Sequence, residues 1–171
     1  MVAMVRRRLQ VDERREQLLT LGMELFTARP YEDVSVDDIA AAADVSKGLL
    51  YHYFGGKRDF YLACVQQTAQ KLLDRVIPEG EPPSAATIMI GLESYFDFVD
   101  EFPRAYLALL SGGFGIDEGI GVILRTTRGA VEDHILAAIG VHEERPIFKM
   151  AVHSWGGSVE MACVDYIKKC D

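Results

Sequence analysis

Apolar residues in the first third of the chain recur with the period of a helix, not of a strand. Over residues 12 to 28, Leu18, Leu21, Leu25 and Phe26 share one face and Leu19 and Met23 widen it, which predicts an amphipathic helix stopped by Pro30. Ser35 precedes Val36-Asp37-Asp38-Ile39-Ala40, so it can cap a short second helix with Asp38 in the first turn, where the helix dipole favours negative charge. Ala40 to Ala43 offer a small-residue face for close packing, and Asp44 stands where a left-handed turn residue is wanted. Ser46 can cap a third helix through Lys47-Gly48-Leu49-Leu50-Tyr51-His52-Tyr53-Phe54. Gly55-Gly56 breaks it before a fourth helix from Lys57 to about Val76.

Pro78 to Ser84, with Gly80, Pro82 and Pro83, reads as a loop between head and body. Ser84 caps a helix bearing Ile88, Leu92, Tyr95, Phe98, Val99 and Phe102, and Pro103 suits the first turn of the next, which ends near Gly112-Gly113. Residues 117 to 139 and 145 to 170 keep long apolar periodicity, the second stretch containing Trp155, Val159, Met161, Val164 and Ile167. No stretch alternates as a strand does. The predicted fold is all-α: a three-helix helix-turn-helix head over residues 1–57, a connecting helix over 58–77, and a helical-bundle body over 78–171.

Composition narrows the class. With 171 residues, 49% of them hydrophobic, the chain can bury a real core. Its apolar runs are short and broken, and no apolar signal segment follows the N-terminal arginines, so the expected place is the cytoplasm with no membrane partner. Cys64, Cys163 and Cys170 form no CxxC pair, which points to reduced thiols and away from zinc. A net charge of −8 runs against nucleic-acid binding, which draws affinity from Lys and Arg. The acidity is uneven, however: residues 1–60 carry nine Lys/Arg against ten Asp/Glu, whereas residues 61–171 carry nine against sixteen.

The head holds the chemistry. A helix-turn-helix works by projecting short side chains from the first turn of its second helix into the major groove. Here that turn is Ser46-Lys47-Gly48-Leu49: Gly48 lets the backbone approach base edges, Lys47 can reach a guanine or a phosphate, and Leu49 can touch a thymine methyl. Tyr51, His52 and Tyr53 carry donors suited to phosphates. Lys57 opens the fourth helix, where its ammonium and the free backbone N–H groups can hold one phosphate, and Ser35 and Val36 at the start of the second helix offer a matching clamp. Arg6, Arg7 and Arg8, ahead of the first helix, suit either an arm on DNA or a solvated basic tail.

Residues 12 to 60 resemble the DNA-binding head of the TetR family of bacterial regulators, through Leu19, Leu25-Phe26, Tyr31, Val34 to Ala40, Val45 to Gly48, Leu50 to Phe54, Lys57 and Phe60. The resemblance implies that Lys47, Gly48 and Leu49 read bases, that Tyr51, Tyr53 and Lys57 grip the backbone, and that Leu50 and Phe54 are structural. Three positions depart from the family pattern: Pro30 and Asp44 where glycine is common, and Gly56 where a serine-like cap often precedes the lysine. The resemblance also implies a homodimer paired through the last two helices, and usually a ninth helix, so that either this copy is short or a tail lies beyond Asp171.

A regulator of this kind needs an effector that prefers one conformation, since a ligand with no preference shifts nothing. Candidate lining residues for its site are Tyr95, Phe98, Phe102, Tyr106, Phe114 and Trp155, with Arg128 and His134 as polar anchors; plain core packing is the competing reading for each. The glycine-rich 112–121 stretch lacks a phosphate-loop pattern, His134, His142 and His153 lack HExxH spacing, and Gly156 to Glu160 is no nucleophile elbow. No cofactor, metal site or enzyme activity is therefore expected. The expected function is a sequence-specific DNA-binding transcription regulator, a repressor released from a palindromic double-stranded operator by an unknown small-molecule effector. The alternative is a helical small-molecule-binding or interaction module without DNA binding.

Overall fold

The computed structural model describes residues 2–111, 117–141 and 145–170; these form eight α-helices and no strand. They divide into two compact units, residues 1–67 and 68–171. The division falls inside the fourth helix.

In the first unit, α1 (Val2–Ala28) begins well before the apolar stripe at residue 12. The residues in between include no Gly or Pro, and a helix nucleated by the packed part propagates through them at little cost. Arg6, Arg7 and Arg8 thus lie on a helical backbone and not on an arm ahead of one. A single 3₁₀ turn (Tyr31–Asp33) leads to α2 (Val36–Ala42), α3 (Lys47–Phe54) and α4 (Lys57–Val76). Leu18, Leu19, Phe26, Val34, Ile39, Leu50, Phe54, Phe60 and Val65 make the core of this unit. Phe26 meets Tyr61 edge-on at 4.7 Å, and Phe54 meets Phe60 at 4.8 Å. Gly22 is required where α1 crosses α4: a Cβ there would fall 2.4 Å from Phe60 Cζ.

The second unit holds the C-terminal end of α4, then α5 (Ala85–Glu101), α6 (Pro103–Ser111), α7 (Glu118–Ala138) and α8 (Pro146–Cys170). Its start signals are physical as well as statistical. Thr87 N donates to Ser84 Oγ at 3.2 Å while Ser84 N donates to Thr87 Oγ1 at 2.8 Å, and Gly119 N donates to Asp117 Oδ1 at 2.7 Å. α7 packs along α8, and α5 touches both α6 and α7. Phe98, Val99, Tyr106, Leu109, Ile120, Leu124 and Ile167 are buried. Gly91 allows α5 to approach the end of α4, since a Cβ would stand 2.4 Å from the Val76 carbonyl oxygen.

Candidate nucleic-acid interface and ligand cavity

The helix-turn-helix is held by its own short-range hydrogen bonds. Ser35 Oγ accepts from Asp38 N at 3.1 Å, and the Asp38 carboxylate accepts from Ser35 N at 2.8 Å and from Ser35 Oγ at 2.7 Å. Asp, not the usual Glu or Gln, closes this reciprocal cap, which is why the sequence showed only half of it. Those hydrogen bonds, with Arg29 at 3.5 Å, hold the Asp38 carboxyl below the usual carboxylate range. Between α2 and α3 the chain turns through Asp44 at φ 51°, the left-handed conformation its position predicted. Ser46 Oγ then accepts from Leu49 N at 3.2 Å, so α3 starts at Lys47 with its first turn aimed outward.

Outward-facing and structural residues separate along α3 as helical spacing requires. Leu50 and Phe54 are buried, Leu49 and Tyr53 are half-buried, and Ser46, Lys47, Gly48, Tyr51 and His52 are exposed. A Cβ on Gly48 would meet only Ser46 Oγ, at 3.9 Å, so packing inside the protein does not demand a glycine there. His52 and Tyr53 hold their rings 5.8 Å apart, and Tyr51 is 51% exposed. Lys57, at the first turn of α4, sits 4.2 Å over the Tyr31 ring and donates to the Glu32 carbonyl oxygen at 3.4 Å. Val36 and Lys57 border one shallow hollow beside Tyr51. Lys47 forms an ion pair with Asp37 of α2, a partner that sequence spacing does not reveal.

In the second unit a cavity of about 350 Å³ opens among α4, α5, α6, α7 and α8. Aliphatic residues such as Leu72, Val76, Leu109, Leu124, Val131 and Ile135 make the largest share of its wall. Of the residues expected to line a ligand site, Tyr95, Tyr106, Arg128, His134 and Trp155 stand on this wall. Phe98 and Phe102 do not, and Phe114 lies outside the described residues. The apolar stripe of α5 runs past the end of the cavity. There Phe98 and Phe102 pack against each other at 5.3 Å, with the Arg75 guanidinium about 5.5 Å from both rings and ion-paired to Glu101 at 2.7 Å. Phe98 is 2% exposed and belongs to the core.

Polar groups on the wall are paired across helices. Arg128 donates from Nε to Glu160 Oε1 and from Nη2 to Glu160 Oε2, both at 2.7 Å, which keeps the guanidinium firmly cationic. The Tyr95 and Tyr106 hydroxyls lie 2.6 Å apart, and burial raises both phenols far above their ordinary pKa, so both remain neutral. Tyr106 donates onward to the Glu160 carbonyl at 3.5 Å. His153 Nδ1 lies 2.7 Å from Glu132 Oε1. His134 Nε2 is different: it is buried and has no hydrogen-bond partner. Glu132, His153 and Glu160 were not anticipated, because their pairings bridge 21 and 32 positions and leave no local pattern.

Residues 18–64 match the family described as bacterial regulatory proteins of the tetR family, and residues 84–169 match the tetracyclin repressor-like C-terminal domain. A solved TetR-family transcriptional regulator from Streptomyces coelicolor is 33% identical, over 91% of this chain and 71% of that one, with a TM-score of 0.78. The chain belongs to the TetR family. This is a family of transcription regulators that carry a DNA-binding helix-turn-helix, and not of enzymes. Among curated relatives, the transcriptional activator FasR of Mycolicibacterium smegmatis is 28% identical over 134 residues, which is 77% of this chain and 61% of FasR. The regulator AcuR of Cereibacter sphaeroides is 40% identical over 68 residues, 38% of this chain and 31% of AcuR. The chain thus spans less than two thirds of the length of either relative. No helix among the described residues is long and apolar enough to cross a membrane, and no group of His, Cys, Asp and Glu among them is arranged to hold a metal.

Proposed function

We propose that this TetR-family member is a homodimeric repressor whose heads bind a palindromic operator and whose body releases the DNA on binding a small molecule. The observation that carries DNA binding is the outward-facing turn Ser46-Lys47-Gly48-Leu49, set by a capped helix, with Tyr51, Tyr53 and Lys57 following within eleven positions of Ser46. Lys47 and Leu49 are the base readers, Gly48 permits close approach, and Tyr51, His52, Tyr53 and Lys57 hold phosphates, with Ser35 and Val36 opposite. Dimerisation through α7 and α8 is supported by Val122, Ile147, Met150, Met161 and Tyr166, large apolar side chains left exposed on these two helices.

The effector reading is supported by the cavity, whose size falls within the range typical of small-molecule sites. Leu72 and Val76 on its wall belong to the same helix that opens with Lys57. An activator is the second reading, favoured by the name of the FasR relative. Selection of bound sites from a random double-stranded DNA library tests the proposal. A palindrome bound by wild type and lost by Tyr51→Ala, with footprinting at a promoter to separate block from recruitment, is the expected outcome. Selection that returns no enriched sequence would overturn it.

A further inference from the structure

The charges on the cavity wall say what kind of molecule can enter. Arg128 is spent on Glu160 through two hydrogen bonds, and Glu132 faces His153. A carboxylate or phosphate that displaced Glu160 from Arg128 would strand it, one that took the remaining N–H groups would bring a second anion beside Glu160 to share a single positive charge, and an amine seeking Glu160 would strand Arg128. The two tyrosines satisfy one another and are held neutral, so neither offers a charge. Among the described residues, the one buried side-chain polar atom without a partner is His134 Nε2, on a residue of the same wall. It lies covered, and a turn of the ring about χ2, a soft torsion, is what brings it to a ligand. A neutral imidazole nitrogen pairs with either an O–H or a C=O, depending on its tautomer.

We infer that the cavity takes an uncharged, mostly aliphatic molecule with a single hydrogen-bonding oxygen, an alcohol or ketone in class, which His134 holds while the Arg128–Glu160 pair stays closed. This rests on the cavity being the effector site. The acid of the same chain length is disfavoured because Arg128 is already matched by Glu160 and Glu132 adds a second carboxylate to the wall; the amine is disfavoured because pairing with Glu160 displaces Arg128 and pairing with Glu132 competes with His153.

Trp155 is the sole tryptophan of the chain and stands on the wall, so its fluorescence reports occupancy. The full chain is titrated with 1-nonanol, 2-nonanone, nonanoate and nonylamine, with calorimetry as a second readout. The alcohol or ketone is expected to bind about tenfold tighter than the acid or amine, and His134→Leu to remove about that factor, the size of one hydrogen bond. His134→Gln, which keeps a donor and an acceptor, should restore most of it, and far-ultraviolet circular dichroism checks that both variants fold. Tighter binding of nonanoate or nonylamine, or an unchanged alcohol affinity in folded His134→Leu, overturns the inference alone. No saturable binding of any probe by either readout overturns the cavity as effector site as well.

Discussion

In the head, the side chains proposed to meet DNA stand outside or partly outside. Tyr51 is 51% exposed, and Lys47 meets Asp37 with more than half of each side chain in solvent. In the body the arrangement is reversed: Tyr106 is 1% exposed, the Glu160 side chain 22%, and the polar groups are satisfied by one another across four helices. The head therefore turns its polar chemistry outward, whereas the body turns its own inward, where neighbouring helices satisfy it. Changes on the head's outer face should alter binding with little effect on stability, whereas changes in the body's stripe should act on stability first.

Phe98→Ala is the harshest test of that contrast. The residue is fully packed and off the cavity wall, so its loss is expected to cost about 3–5 kcal/mol in denaturant unfolding, far more than Trp155→Ala on the partly open wall. Similar costs for the two would erase the distinction between core and wall. Gly22→Ala comes next, at about 1–3 kcal/mol, because the new methyl must push the Phe60 ring aside; the melting midpoint checks it.

Asp37→Asn should leave the melting temperature nearly unchanged, since exposed ion pairs contribute little. It should strengthen DNA binding several-fold at low salt by freeing Lys47 and removing an acid from the interface, with the gain fading as salt rises. Anisotropy titrations at two salt concentrations decide; weaker binding would mean that Asp37 positions Lys47 for the base. The smallest effect is that of Asp38. Its folded pKa is depressed, so its contribution is fully present above the ordinary carboxylate range and is lost as pH falls through the folded value. The melting-temperature gap between wild type and Asp38→Asn should therefore shrink as the solution is taken from pH 6 to pH 3.

The same contrast explains what could be read from the chain. Ser35, Asp44, Ser46 and Gly55 act within a few positions of themselves, through caps and turns, so the head's helices and its outward turn are visible as local spelling. The helices of the body are equally visible from Ser84, from Pro103 and from the apolar periodicity of residues 117 to 139 and 145 to 170. Its cavity is not. Tyr95, Phe98 and Phe102 follow one another at helical spacing, yet only the first faces the cavity, because where the stripe meets a void depends on how far α5 slides past its neighbours. The Glu160 partner of Arg128 and the orphan nitrogen of His134 likewise exist only once α7 lies against α8.

Operator binding by the head is tested most directly by the salt dependence of affinity for a selected site, measured side by side for wild type and Lys57→Ala. The expected result is a steep fall in log K with log salt for wild type and a slope shallower by about one in the variant, from the loss of one phosphate contact. Binding that ignores salt, or two identical slopes with equal affinities, would contradict it.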